Sequence, residues 1–563
     1  MAPMPSKPTV SVLIGCLTLQ PGFASPATEG APWCGTEAGG ASHLAALHRY
    51  WTRAGLTGIA QAAGARTTVA DLDEDGVAVL EDRGDLVVRR NPFDLDDSGV
   101  RLSPNAAGGH DPARLALPLE PPGTPLGLGG DDARAVDLPF AFPFHGRRYS
   151  HAFIHADGFL TFGAPDAQAS ERSMSRFLTG PPRVAVFFTD LDPSRGGSVT
   201  ASVTASRAVF RWDRVPGGGQ INRNSFQVAL SAGGDVDFVY GEMQTREALV
   251  GLSPGGAESL TAADFAASQP RSSADALVER FSETEKLDLV SVVRRFYAAH
   301  PDSFEQLVVY TTRPLNPLGG SLAFEVNVRN DVAGIGLERL DRTAEWGSAG
   351  RLESVVFMDS ADTYRDVDGF EVLAHEVGHR WLSRLSFRAA DGSASGALLG
   401  RGGVHWSFFL DTDASVMEGN EIDDGGGGRF ETTDIARGYS PLDQYVMGLR
   451  AAADVPPFFY VDGADNFRPN RPYKSSSSPE AGVSFTGVRR TVRIEDVLAA
   501  MGPRVPDASR APRLLRQAYI LVADREAPAT EARQAIVARI RSRFEGYYPA
   551  ATGGRAVVQT HLR

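Results

Sequence analysis

The sequence predicts a multidomain chain: an N-terminal all-β, sandwich-like region followed by a C-terminal α+β unit. Three observations carry this. At 563 residues the chain exceeds what one core supports, given ~100–200 residues per domain. Between Val136 and Gly255, short apolar runs recur between Gly, Pro and Asp turns, the pattern of stacked antiparallel strands. From about residue 280 the pattern changes to an amphipathic helix, three strands and a second amphipathic helix, the order of an α+β unit.

The first element, residues 1–24, reads as an export signal. One positive charge, Lys7, precedes an apolar run from Thr9 to Leu19 that is too short to span a bilayer, and Gly22-Phe23-Ala24 offers small residues for cleavage. Leu13-Ile14-Gly15-Cys16 resembles a bacterial lipobox, so a lipid anchor at Cys16 on an outer-surface protein is the alternative to secretion. No other run reaches ~18 apolar residues, so no transmembrane segment is expected. Cys16 and Cys34 are the two cysteines, which excludes a disulfide framework for the body of the chain. A net charge of -13 argues against nucleic acid as a partner, because neutralising phosphates needs a basic surface.

Residues 25–130 read as a pro- or accessory region with a short helix over Leu44–Trp51. Asp71-Leu-Asp-Glu-Asp-Gly76 has the start of a calcium loop, but Val77-Ala-Val-Leu80 continues as a strand and the segment reads as a hairpin turn. Residues 131–265 form the sandwich, with strands at Ala152–Phe162 (two, across an Asp157-Gly158 turn), Arg183–Phe188, Ala208–Trp212, Ser225–Leu230 and Val236–Tyr240. Through Leu138–Phe144, His155-Ala-Asp-Gly-Phe159, Phe187-Phe-Thr-Asp-Leu-Asp192, Ser225-Phe-Gln-Val228 and Val250–Gly255, this stretch resembles the nidogen-type extracellular (NIDO) domain. The resemblance implies an extracellular β module without chemistry of its own.

Residues 280–563 form the α+β unit. A helix over Leu287–Tyr297 precedes strands at Gln306–Thr312, Leu322–Val328 and Leu352–Met358, and helices are expected around 494–501, 511–522 and 529–546. Between them, apolar residues at three-to-four spacing predict a helix over Phe370–Leu385. His375 and His379 fall one turn apart on one side of it, where both imidazoles reach one metal ion. Glu376 stands about 100° around the helix, beside the ion, where a carboxylate can take a proton from water.

Two histidines leave tetrahedral zinc short of a protein ligand. His405, in Gly402-Gly-Val-His-Trp-Ser-Phe408, and Asp443, in the Ser440-Pro-Leu-Asp443 helix start, are the candidates; Glu418, Glu421 and Asp423 follow. Tyr439 and Tyr445 are candidate hydrogen-bond donors to an oxyanion, and Tyr445 is taken as a catalytic residue with Glu376. The strand Leu322–Val328 offers an edge to an extended peptide, with Gly334 and Gly336 at its rim.

The His-Glu-Val-Gly-His stretch, His375–His379, resembles the active-site helix of the zincin metallopeptidases. That implies a zincin-like catalytic domain and a secreted zinc-dependent endopeptidase acting on protein or peptide. The alternative is an extracellular adhesion protein whose zinc site is structural or inactive; hydrolysis of a non-protein amide shares the same metal chemistry. Pro32-Trp-Cys-Gly35 resembles the core by which some secreted zinc proteases keep themselves latent.

Overall fold

The computed structural model describes residues 35–37, 72–74, 76–166, 172–257, 259–267, 274–315, 321–466 and 473–562. The export signal, Cys16, Cys34 and the Leu44–Trp51 helix lie outside them. The chain is mostly β, with 40% strand and 16% helix.

The sandwich packs two seven-stranded sheets face to face. Arg183–Phe188 runs through the middle of one sheet; Arg207–Val215, Asn224–Ser231 and Val236–Met243 form the middle of the other. Alternating apolar residues meet between them, and Phe142, Phe187, Phe210, Trp212, Phe226 and Phe238 are completely buried. The Asp157-Gly158 turn is held from below. Gly158 takes φ +75°, and a Cβ there would lie 2.1 Å from the Phe187 carbonyl oxygen, so only glycine fits. Asp157 accepts the Leu191 amide at 3.1 Å and two bonds from Arg172 at 2.8 and 2.9 Å. Trp212 donates its indole N–H to the Ala156 carbonyl at 3.0 Å. The sandwich is wider than expected, because Gly99–Pro104 and His110–Leu115 join one sheet and Ala276–Phe281 the other.

The second core surrounds one large sheet. Its strands are β1 (Gly35–Glu37), β2 (Leu72–Glu74), β3 (Val77–Glu81), β4 (Gln306–Thr311), β5 (Ser321–Asn327), β6 (Ser354–Ser360), β7 (Leu514–Ala523) and β8 (Val557–Gln559). The order is β1-β5-β6-β4-β7-β3-β2, with β8 beside β7. Neighbours among β6, β4, β7 and β3 run parallel, while β5 is antiparallel to β6. This differs from expectation at two places. Strands from the supposed accessory region complete the sheet, so the unit draws on residues before 130 as well as after 280. Leu514–Ala523, expected as a helix, is the buried strand β7: an apolar run buried on both faces has no period to distinguish it.

Helices cover both faces. α1 (Leu289–Ala299), capped by Asp288, lies on one face with Phe296 and Trp346 buried beneath it. α2 (Phe370–Gly378), α3 (Pro441–Val446) and α4 (Glu531–Ala551) share the other core, in which Leu373, Ala374, Val377, Val446 and Phe544 are completely buried. β5 is the strand beside which α2 lies, and β1 pairs antiparallel with β5, Gly35 opposite Phe324 and Thr36 opposite Ala323. The edge expected to receive a peptide is therefore covered over these residues by the chain's own N-terminal segment.

Candidate metal centre

α2 is shorter than its periodicity predicts. It ends at Gly378, with His379 as its C-cap at φ -59° and ψ -18°, close enough to helical for the His375–His379 spacing to hold. The reason lies in packing: a Cβ on Gly378 would stand 2.4 Å from Met417 Sδ and 3.2 Å from the Tyr439 ring, so the chain turns where another strip of chain presses against the helix. Trp381 and Leu385 continue past the turn rather than along the helix.

His375, His379 and His405 come together, buried, with one ligand nitrogen each inside a 4.8 Å group. His375 Nε2 lies 3.0 Å from His379 Nε2 and 3.2 Å from His405 Nε2. Each ring's other nitrogen faces a backbone carbonyl: His375 Nδ1 to Val416 O at 2.8 Å, His379 Nδ1 to Leu382 O at 3.2 Å, and His405 Nδ1 to Arg401 O at 2.8 Å. A carbonyl only accepts, so every Nδ1 carries the proton and every neutral Nε2 offers a lone pair inward. Burial, with the adjoining histidines, holds His379 well below the usual imidazole range. Burial also lowers His405, to about 3, against the opposing pull of Glu418, with His375 and Arg401 adding to the lowering.

A cation would join these three nitrogens, and carbonyl partners on the outer nitrogens are what metal-binding imidazoles use to fix their tautomer. Nitrogens around a tetrahedral zinc ion at 2.0–2.1 Å stand about 3.3–3.4 Å apart, close to the separations here. The donor set fits zinc.

Two loops bring His405 and the carbonyls into place. Gly402 and Gly403 take φ +62° and +70°, which turns the chain so that His405 folds back over Arg401; nothing crowds Gly403, so the pair serves the turn rather than close approach to α2. Trp406 N donates to Met417 O at 3.1 Å and ties this loop to the one carrying Val416.

Asp443 is not in the cluster, which corrects the expectation of it as a metal ligand. It closes a capping box on α3 with Ser440, and its carboxylate accepts Trp406 Nε1 at 2.7 Å and Ser415 Oγ at 2.6 Å. Tyr445 is corrected likewise: its hydroxyl accepts the Arg504 amide at 3.1 Å and makes no hydrogen bond to the histidines. Tyr439 donates to the Ala374 carbonyl at 2.6 Å and braces α2. Glu421 pairs with Arg437 at 2.9 Å, and Asp423 lies exposed on the strand Asn420–Gly426. Glu376 is completely buried on α2, immediately after His375.

Sequence reasoning missed Arg401. Its Nη2 donates to His405 Nε2 at 2.8 Å, and its Nε reaches both oxygens of Glu418 at 3.2 Å. Glu418, at φ +66°, has a side chain 11% exposed; burial alone would raise its pKa, but His405 and Arg401 hold it down at about 2. The signal available was the i, i+4 spacing of Arg401 and His405 across a Gly-Gly turn.

Residues 117–289 match the family model NIDO_rel, described as NIDO related. The chain carries a NIDO-related domain. It runs from before Val136 to beyond Phe281, more than the 131–265 read from strand spacing, but leaves out the strands Gly99–Pro104 and His110–Leu115 that complete one sheet, and a nidogen-type domain points to an extracellular context. Comparison with curated proteins and with solved structures finds no match.

Proposed function

We propose that the chain is a secreted zinc-dependent metalloendopeptidase whose NIDO-related domain accompanies a zincin-like catalytic unit. The observation that carries this reading is the arrival of His405 Nε2 3.2 Å from His375 Nε2, completing a three-nitrogen set whose outer nitrogens are all spent on carbonyls. An ion held there would supply Lewis acidity toward a peptide carbonyl and bring the pKa of a water molecule toward neutrality.

The chain's own residues do the rest. His375, His379 and His405 would hold the ion through their inward Nε2 lone pairs, each Nδ1–H being directed at a backbone carbonyl. Glu376, next to His375 and sealed from bulk solvent, takes the proton of the attacking water on its carboxylate and returns it to the departing amine nitrogen. A purely structural site needs no such acid.

The experiment is cleavage of a mixed peptide library by wild type and Glu376→Gln. Chelator-sensitive cleavage by the first and loss of at least a hundredfold in the second support the reading. A second reading, an extracellular binding protein, is favoured by the family match of residues 117–289. Tight binding to a cell surface or matrix with no cleavage would favour it.

A further inference from the structure

The proposed chemistry lacks one part: a donor for the carbonyl oxygen as it gains negative charge. Of the tyrosines expected to fill it, Tyr439 spends its O–H on the Ala374 carbonyl, and the Tyr445 hydroxyl lies against the Arg504 amide and makes no hydrogen bond to the histidines. We propose that Arg401 is this donor, a catalytic residue that receives the substrate oxygen beside the histidine cluster, with Glu418 as its positioning residue. The proposal rests on the metallopeptidase reading.

Three observations carry it. Arg401 Nη2 already reaches the inward nitrogen of His405, 2.8 Å away, so the guanidinium stands at the cluster rather than near it. Its side chain is 19% exposed against 1% for His405, so it reaches solvent where the histidine does not. Glu418 grips its Nε with both carboxylate oxygens at 3.2 Å, fixing the plane of the fork and offsetting its charge in a buried place. Were the His405 lone pair given to a metal ion, the Nη2–H that it now accepts would be released for another acceptor, with Glu418 still holding the guanidinium through Nε. A developing oxyanion gains a charge-assisted hydrogen bond that the neutral carbonyl of the ground state accepts only weakly.

In the step itself, the water oxygen bonds to the carbonyl carbon while its proton goes to Glu376. The C=O π pair moves onto the oxygen that Arg401 faces. On collapse that pair re-forms the C=O, the C–N bond breaks, and the amine nitrogen takes the proton from Glu376.

The test compares wild type, Arg401→Lys, Arg401→Met and Glu418→Gln on zinc per chain, on kcat and KM for one cleaved peptide, and on the calorimetric affinity of its phosphonamidate analogue, whose tetrahedral anionic oxygens imitate the charged state. With zinc retained, Arg401→Met is expected to lose about 100–1,000-fold in kcat and a comparable factor in analogue affinity. KM should change less than threefold, with Arg401→Lys and Glu418→Gln between the extremes. Loss of zinc in Arg401→Met would overturn the proposal by making Arg401 a brace for His405. Unchanged kcat and analogue affinity with zinc present would overturn it while leaving the metallopeptidase standing. A wild type that holds no metal and cleaves nothing would overturn both.

Discussion

Trp406 Nε1 donates to Asp443 Oδ1 across 2.7 Å, so the residue after the third histidine is fastened to the first turn of α3. The other oxygen of Asp443 holds Ser415 Oγ, whose loop supplies the Val416 carbonyl to His375. One buried carboxylate thus sets both loops that build the cluster. Asp443→Ala leaves the Trp406 and Ser415 donors without their acceptor and is expected to cost about 2–4 kcal/mol of stability, with weakened zinc binding. His405→Ala should abolish zinc binding with a smaller loss in the metal-free chain. Denaturant melts of chelated protein, paired with metal analysis, check the contrast.

Gly378 touches Met417 where α2 turns. Gly378→Ala places a methyl 2.4 Å from Met417 Sδ in a packed core, and an expected loss of about 1–3 kcal/mol follows from overpacking. The Tm of the variant measures it, and an unchanged Tm would mean that Met417 yields freely.

Tyr445 separates the structure from the expectation drawn from its place in sequence. Tyr445→Phe removes the acceptor of the Arg504 amide and should cost about 1–3 kcal/mol in stability. Zinc content and kcat should stay within threefold of wild type; a hundredfold fall in kcat would restore the catalytic assignment.

Glu371, in the first turn of α2, is raised by burial from its ordinary 4.5 to about 8, with Asp368 adding to the effect. The folded chain then binds more protons than the unfolded one between those two values. Stability contributed by this group is full below about pH 4.5 and is lost as pH rises through 8. The slope cannot exceed about 1.4 kcal/mol per pH unit for a single group. Glu371→Gln should flatten the decline in Tm between pH 5 and 8 relative to wild type, and parallel curves would exclude Glu371 as its source.

Much of this was legible because it rests on short-range rules. The period of Phe370–Val377 and the Asp157-Gly158 turn depend on neighbours in sequence, and both stand where the pattern puts them. The third ligand was legible only as a ranking, His405 ahead of Asp443, because a Gly-rich loop fixes no direction; in the fold Trp406 and Ser415 consume the Asp443 carboxylate. Ser440-Pro-Leu-Asp443 is itself a capping signature, so the structural role of Asp443 was present beside the metal-binding one. The contribution of β1 and β3 to a sheet finished by β7 was hidden for another reason: pairing residues 77–81 with 519–523 is a matter of topology, which no local period records.

Zinc content of the chain purified without chelator, determined for wild type, His375→Ala, His405→Ala and Asp443→Asn, bears most directly on the claim that three imidazoles form one metal site. One zinc per chain in wild type and in Asp443→Asn, with none in either histidine variant, is the predicted result. A wild type without metal, or a His405→Ala protein that keeps its full complement, would contradict it.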